Sequence, residues 1–136
     1  MKVLIAKRGT QSQMELTNSL SKRGFEAVFA ADGRHARRIL ERPDGPRLAF
    51  LDWFLPDMTC LALCRRVRAK SSEPYIYILL SIPKDVPVNK SDGFDAGADD
   101  CILEPYEESE LLIRLRAGQR ITELQDYLAR LRADSR

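Results

Sequence analysis

The chain has little of what metal centres, disulfide frameworks and membrane anchors are made from. Its 136 residues include one histidine, His35, and three cysteines, Cys60, Cys64 and Cys101. An odd number of cysteines without paired ligand spacing reads as small reduced residues of a cytosolic protein. His35 falls in a polar helical stretch with no second ligand near it, so no metal site is expected there. No apolar run approaches the roughly 20 residues that cross a bilayer. No secretory signal is expected either, because Met1-Lys2 leads straight into the apolar run Val3-Leu4-Ile5-Ala6. A net charge of +2 gives no strong field for nucleic acid, and no helix-turn-helix is recognisable. No glycine-rich phosphate loop follows the first apolar run, where Gly9 stands alone, which argues against a nucleotide or flavin binder. Ser81, Asp52 and His35 are the only candidates for a hydrolytic triad. His35 falls on a helix away from the other two, and no Gly-x-Ser-x-Gly elbow is present, so catalysis on an external substrate is not expected.

What is present is an alternation of short apolar runs with amphipathic stretches, in a chain of one-domain length with 44% apolar and 31% charged residues. Strands are predicted over 2–6, 25–30, 47–52, 75–80 and 100–103. Helices are predicted over 11–23, 34–42 and 59–70, with a long one from about Glu107. Ala36, Ile39 and Leu40 mark the inner face of the second helix, Thr59 is placed to cap the third, and Leu63 and Val67 lie four apart on it. The fourth helix, somewhere in 85–96, is expected to be short, late-starting or mobile, because Pro83 and Pro87 obstruct its start and Gly93 weakens it. Five apolar strands separated by helices call for a parallel sheet covered on both faces, with right-handed crossovers. Arg34, Arg38 and Arg42 recur every four residues and read as a solvated helix face, with Arg37 beside them and a second cluster at Arg65, Arg66 and Arg68.

In open sheets of this kind, chemistry gathers in the crevice at the carboxyl ends of the strands. Four such ends carry polar residues here: Lys7-Arg8, Asp52, Ser81 and Glu104. Asp52 closes the run Leu48-Ala49-Phe50-Leu51 and precedes Trp53-Phe54-Leu55-Pro56-Asp57-Met58.

The segment LAFLDWFLPDM resembles the phosphoacceptor strand and loop of bacterial two-component response-regulator receiver domains. So do the Gly24-Phe25 turn, Ser81, the segment Gly97-Ala98-Asp99-Asp100 and Pro105, and the resemblance extends over about residues 1–120. It implies an α/β, flavodoxin-like three-layer sandwich with a five-stranded parallel sheet of order 2-1-3-4-5 and an extended C-terminal helix. It also implies two-component (phosphorelay) signal transduction, with Asp52 as the candidate phosphoacceptor for a histidine kinase or phosphotransfer protein. Six positions depart from the family pattern. Lys7 and Arg8 stand where that family has two magnesium-binding acids, and Glu104 stands where it has a lysine before the proline. Ile82 replaces a small residue, Cys60 a glycine, and Cys101 an aromatic switch residue.

These substitutions reverse charge. Lys7 and Arg8 oppose Asp52 and Glu104, leaving a pocket without net charge, in which two cations beside Asp52 are expected to repel Mg²⁺. An internal ion-pair cluster is expected, in which Lys7 or Arg8 takes the metal's space and pairs with Asp52, and Glu104 pairs with the other cation. A phosphoryl group on Asp52 would bring about −1.5 to −2 charges close to Glu104. The pocket residues Lys7, Arg8, Ser81, Ile82, Glu104 and Pro105 therefore describe a pseudo-receiver working by protein interaction, with no cofactor. In the alternative, Asp52 is phosphorylated by a histidine kinase, with Mg²⁺ bound, and controls an output domain such as a diguanylate cyclase. A metal-free variant of that alternative has Arg8 or Lys7 stabilise the phosphoryl group directly.

Residues 1–118 are expected to form the receiver and 119–136 a coiled-coil-like linker toward an output domain. Ala117, Ile121, Leu124, Leu128 and Leu131 follow spacings of four, three, four and three, which is a heptad pattern suited to a homodimer. The stretch resembles the linker that joins receivers to diguanylate cyclases, although no GGDEF motif occurs in the 136 residues. A cytoplasmic protein with no nucleic-acid or membrane partner is expected.

Overall fold

Apolar runs without polar alternation need cover on both faces, and the chain supplies it. The computed structural model describes residues 1–7, 13–70 and 74–135. The elements are β1 (Lys2–Ala6), α1 (Gln13–Ser21), β2 (Glu26–Phe29), α2 (Gly33–Leu40), β3 (Leu48–Asp52), α3 (Cys60–Lys70), β4 (Tyr77–Ile82), α4 (Lys90–Ala96), β5 (Asp100–Leu103) and α5 (Glu108–Asp134). The strands pair in parallel in the order β2-β1-β3-β4-β5, which is the flavodoxin-like sheet expected from the sequence.

Successive strand residues serve opposite faces. Val3, Ile5, Leu48, Phe50, Tyr77, Leu79 and Ile102 pack with Leu16 and Leu20 of α1 and with Leu111 and Leu115 of α5. Leu4, Ala6, Ala49, Leu51, Ile78, Leu80 and Ile82 pack with Ala36, Ile39 and Leu40 of α2 and with Leu63, Cys64 and Val67 of α3. Helix starts follow local chemistry. Asp32 caps α2 by accepting from the His35 amide at 2.8 Å, and Thr59 Oγ1 accepts from the Ala62 amide at 3.3 Å at the head of α3. Helix α4 is short and late, as the prolines predict. It opens at the Asn89 cap and stops at Gly97, whose φ of 116° suits glycine.

The fourth strand needs a correction. The sequence predicts it over 75–80, but it runs from Tyr77 to Ile82 and includes Ser81. The Tyr75 carbonyl accepts from Arg47 Nε at 2.8 Å and the Ile76 carbonyl from Arg68 at 2.7 Å. The ladder therefore opens only at Tyr77, whose amide reaches the Arg47 carbonyl at 2.9 Å. At the other end the strand continues to the residue before Pro83, which has no N–H to give. Arg68 also donates to the Gly97 carbonyl at 2.9 Å and to Asp99 at 2.9 Å. It is a tie between α3, β4 and α4, and not a member of a solvated basic face.

Helix α5 runs unbroken through residue 118. It approaches β4 so closely at Gly118 that a Cβ there would lie 2.5 Å from Tyr77 Cδ1. Thr122 is fully buried, and Asp126 is paired with Arg47 at 2.7 Å. Contact with the sheet therefore reaches Asp126. Ile121, Leu124, Tyr127, Leu128 and Leu131 remain exposed along the helix. Among the described residues no helix is long and apolar enough to cross a membrane.

Candidate functional site

Strand alternation decides what meets at the carboxyl edge of the sheet. Residue 7 continues the face of Val3 and Ile5, residue 52 that of Leu48 and Phe50, residue 81 that of Tyr77 and Leu79, and residue 104 that of Ile102. Lys7, Asp52, Ser81 and Glu104 thus project toward the same side. Asp52 and Ser81 are also partners in the β3–β4 register.

Three of these side chains form a closed triangle. Lys7 Nζ donates to Glu104 Oε1 at 2.7 Å and to Ser81 Oγ at 2.9 Å. The Ser81 hydroxyl donates to the same Glu104 oxygen at 2.6 Å. Ser81 is fully buried and the Lys7 side chain is 10% exposed. The ammonium also lies 5.1 Å from the Phe50 ring centroid and 5.2 Å from that of Tyr106, and these two rings meet edge to face at 5.7 Å. Ring faces carry negative potential, so both add to the cation's stabilisation. Burial pushes the Glu104 carboxyl up, but the hydrogen bonds from Lys7 and Ser81, together with the Lys7 charge, outweigh it and hold the carboxyl below its ordinary value.

Asp52 is 5% exposed, at the end of β3, and its Oδ1 lies 3.4 Å from the Phe54 amide. The expected ion-pair cluster gave one cation to Asp52 and the other to Glu104. The structure bonds Lys7 to Glu104, while Arg8, and Gly9 after it, lie outside the described residues. Ile82 is buried on the opposite face, and Pro105 follows Glu104 at the edge. Cys60 opens α3 fully buried. Burial pushes its thiol up to about 12, and Cys64 and the Asp52 charge add to the shift. Cys101 is half-buried, and its thiol is also raised, chiefly by burial. Thiols so held are neutral at physiological pH and poor nucleophiles. His35 serves α2, where its Nδ1 accepts from the Ala31 amide at 3.2 Å.

Mg²⁺ needs a near-octahedral set of oxygen ligands, usually including one or two carboxylates. Among the described residues no group of three or more His, Cys, Asp or Glu side chains is placed to hold a metal. The Lys7 ammonium has no lone pair to offer, and Glu104 is engaged with it.

Sequence reasoning passed over Tyr106 and Phe50 as parts of this site. The signal was available, because Tyr106 stands two residues after Glu104 and Phe50 two before Asp52, each on the pleat that faces the pocket.

Residues 3–116 match the response regulator receiver domain family. The sensory transduction protein RegX3 of Mycolicibacterium smegmatis is 39% identical over 98 residues, covering 72% of this chain and 41% of that protein. The chain spans about half the length, or less, of such curated relatives. A crystal structure of a putative response regulator from Chloroflexus aurantiacus superposes with a TM-score of 0.75 at 28% identity, covering 86% of this chain and 95% of the other. A putative two-component response regulator/GGDEF domain protein gives a TM-score of 0.79 at 24% identity, over 90% of this chain and 50% of that one. At that identity the likeness is one of fold.

The depressed Glu104 carboxyl has a consequence for stability. A folded-state value below the unfolded one stabilises the fold above the ordinary glutamate value of 4.5, and that contribution is lost as pH falls through the folded value. The stability gap between the parent chain and Glu104→Gln, read from urea midpoints, is expected to be widest at neutral pH and to shrink toward about pH 3. A gap constant over that range would mean that the carboxylate charge is not what Glu104 contributes.

Proposed function

The chain belongs to the response-regulator receiver family, and on that premise we propose that it is a pseudo-receiver: a two-component signalling domain whose pocket is closed by an internal ion pair and which works through protein contacts. One observation carries this reading, the Lys7–Glu104 bond at 2.7 Å with Ser81 bridging both partners. The family resemblance gives position 104 a lysine and position 7 an acid. Here the ammonium sits on the opposite strand, and its partner satisfies it internally. A phosphoryl group on Asp52 would meet Glu104, a carboxylate, and a Ser81 hydroxyl whose proton already has an acceptor. Repulsion and a displaced hydrogen bond both oppose it. No Mg²⁺ and no catalysis on an external substrate belong to this reading.

A second reading keeps Asp52 as the acceptor of a phosphoryl group from a histidine kinase or phosphotransfer protein. It is favoured by the retention of Asp52 in its crevice at the end of β3. The partner in either case is a downstream output domain reached through α5, in keeping with curated relatives longer than this chain. A diguanylate cyclase is one candidate. The exposed row Ile121, Leu124, Leu128 and Leu131 supports pairing of two α5 helices in a homodimer, in a cytoplasmic protein.

Three experiments test these statements. Incubation with acetyl phosphate and Mg²⁺, followed by intact mass measurement, is expected to give no adduct. A stoichiometric adduct that disappears in Asp52→Asn overturns the closed-pocket reading in favour of the second. Trp53, which follows Asp52 and is 5% exposed, reports on the pocket. Its fluorescence is expected to stay constant up to about 10 mM Mg²⁺, whereas Lys7→Asp, Arg8→Asp and Glu104→Lys combined restore quenching. Quenching in the parent chain refutes the charge account. Finally, sedimentation at increasing concentration is expected to show association in the parent chain and its loss in Leu124→Glu with Leu131→Glu. Identical behaviour of the two chains removes the α5 dimer.

A further inference from the structure

A second charged feature lies away from the pocket, on the α2–α3 side of the sheet. Arg34, Arg37 and Arg38 of α2 face Arg66 of α3 across a concave space of about 590 Å³, walled also by Asp57, Met58 and Ala62. That volume is in the range of small-molecule sites, roughly 300–1,000 Å³.

The cations in it are under-neutralised. Arg34, Arg38 and Arg66 form no ion pair among the described residues. Arg37 Nε lies 3.6 Å from Glu41 Oε1, too far for a hydrogen bond, and this buried nitrogen has no hydrogen-bond partner among the described residues. Asp57 is the one acid on the wall, and its two oxygens accept from the backbone amides of Gly33 at 2.7 Å and Arg34 at 3.0 Å. Its carboxyl is held below the ordinary value: burial pushes it up, and the backbone hydrogen bonds and the Arg34 charge outweigh that. With Arg37 set against Glu41, three further guanidinium groups face one capped carboxylate, which leaves a positive space. Arg34 and Arg38, four apart on one helix, are like charges that disfavour each other. A solvated face explains exposed arginines, but not three from one helix and one from another converging on a cavity with a partly apolar wall.

We propose that this space binds an organic polyphosphate, a ligand of the nucleotide type with two or more phosphoryl groups on an apolar ring body. Guanidinium forks match phosphate oxygens two at a time, and four forks suit more than one phosphoryl group. Met58 and Ala62 supply the apolar wall for the ring. Gly33 lets that wall close in, since a Cβ there would lie 2.4 Å from Met58 Cγ.

Calorimetric titration of the full chain in EDTA tests this with three probes: ATP, inorganic tripolyphosphate and AMP. ATP is expected to bind about tenfold or more tightly than AMP, and more tightly than tripolyphosphate. Arg38→Ala with Arg66→Ala is expected to weaken ATP about tenfold or more. Arg42→Ala with Arg65→Ala removes the same charge outside the cavity and is expected to change affinity less than about threefold. Equal losses from the two double variants overturn the site in favour of general attraction to a basic surface. Equal affinity for ATP and tripolyphosphate overturns the organic body, and no measurable binding of ATP overturns the proposal outright. A 20-nucleotide single strand that binds more tightly than ATP, and is weakened alike by both double variants, overturns it in favour of a nucleic-acid surface.

Discussion

A lysine ammonium with its side chain 10% exposed, between two aromatic rings, is the constraint around which the sheet's carboxyl edge is arranged. A charge so far from water needs a close counter-charge, because the desolvation penalty otherwise exceeds anything the rings return. Glu104 provides it from the far end of the edge, with β3 and β4 lying between the two strands involved. Ser81 fills the gap between them and has both its donor and its acceptor capacity satisfied. The charges at positions 7 and 104 are therefore one feature. Either substitution alone would leave a buried like-charge contact or an unpaired ion, and together they make a tie across β1, β4 and β5.

The same period-two geometry that carries this tie made much of the fold legible. Apolar runs separated by amphipathic stretches gave five strands in a covered parallel sheet, and the prolines before residue 90 foretold a short α4. The boundary of β4 was harder to read. Its start is set by Arg47 and Arg68 taking the Tyr75 and Ile76 carbonyls, contacts between residues far apart in the chain. Its end runs on past the apolar run, through Ser81 to Ile82. In the pocket, residue types and strand ends indicated which side chains would converge. The choice of Glu104 as the bonded partner of Lys7 depended on which strand ends lie within reach, and that is a property of the assembled sheet.

Arginines show the limit of reading charge from sequence. Arg68 sits beside Arg65 and Arg66 in the chain, yet it stacks on Tyr75 at 4.7 Å and bonds to Asp99 and two carbonyls. Arg47 clamps Asp126 through two nitrogens, and Arg114 holds Asp100 at 2.7 Å. These arginines spend their forks on carbonyls and carboxylates within the fold. Arg34, Arg38 and Arg66 have the same chemistry and form no ion pair among the described residues. The difference lies in where the fold places each side chain, and composition cannot express it.

The two kinds of arginine, taken with the Lys7–Glu104 ion pair, bear on how a signal would pass through the domain. If the carboxyl edge is held by the Lys7–Glu104 tie, its state is set at folding and a transient anion there works against the field. Surfaces whose charge or apolar area is unmatched then become the places where a binding event changes most. Two stand out: the arginine-lined space between α2 and α3, and the apolar row of α5. They lie on opposite faces of one sheet. The first touches the segment after Asp52 through Asp57 and Met58, and the second continues from the helix that packs on Phe50's side of the sheet. A ligand at the first and a partner helix at the second would therefore act on the same central strand, β3, from its two sides, without any chemistry at Asp52 itself.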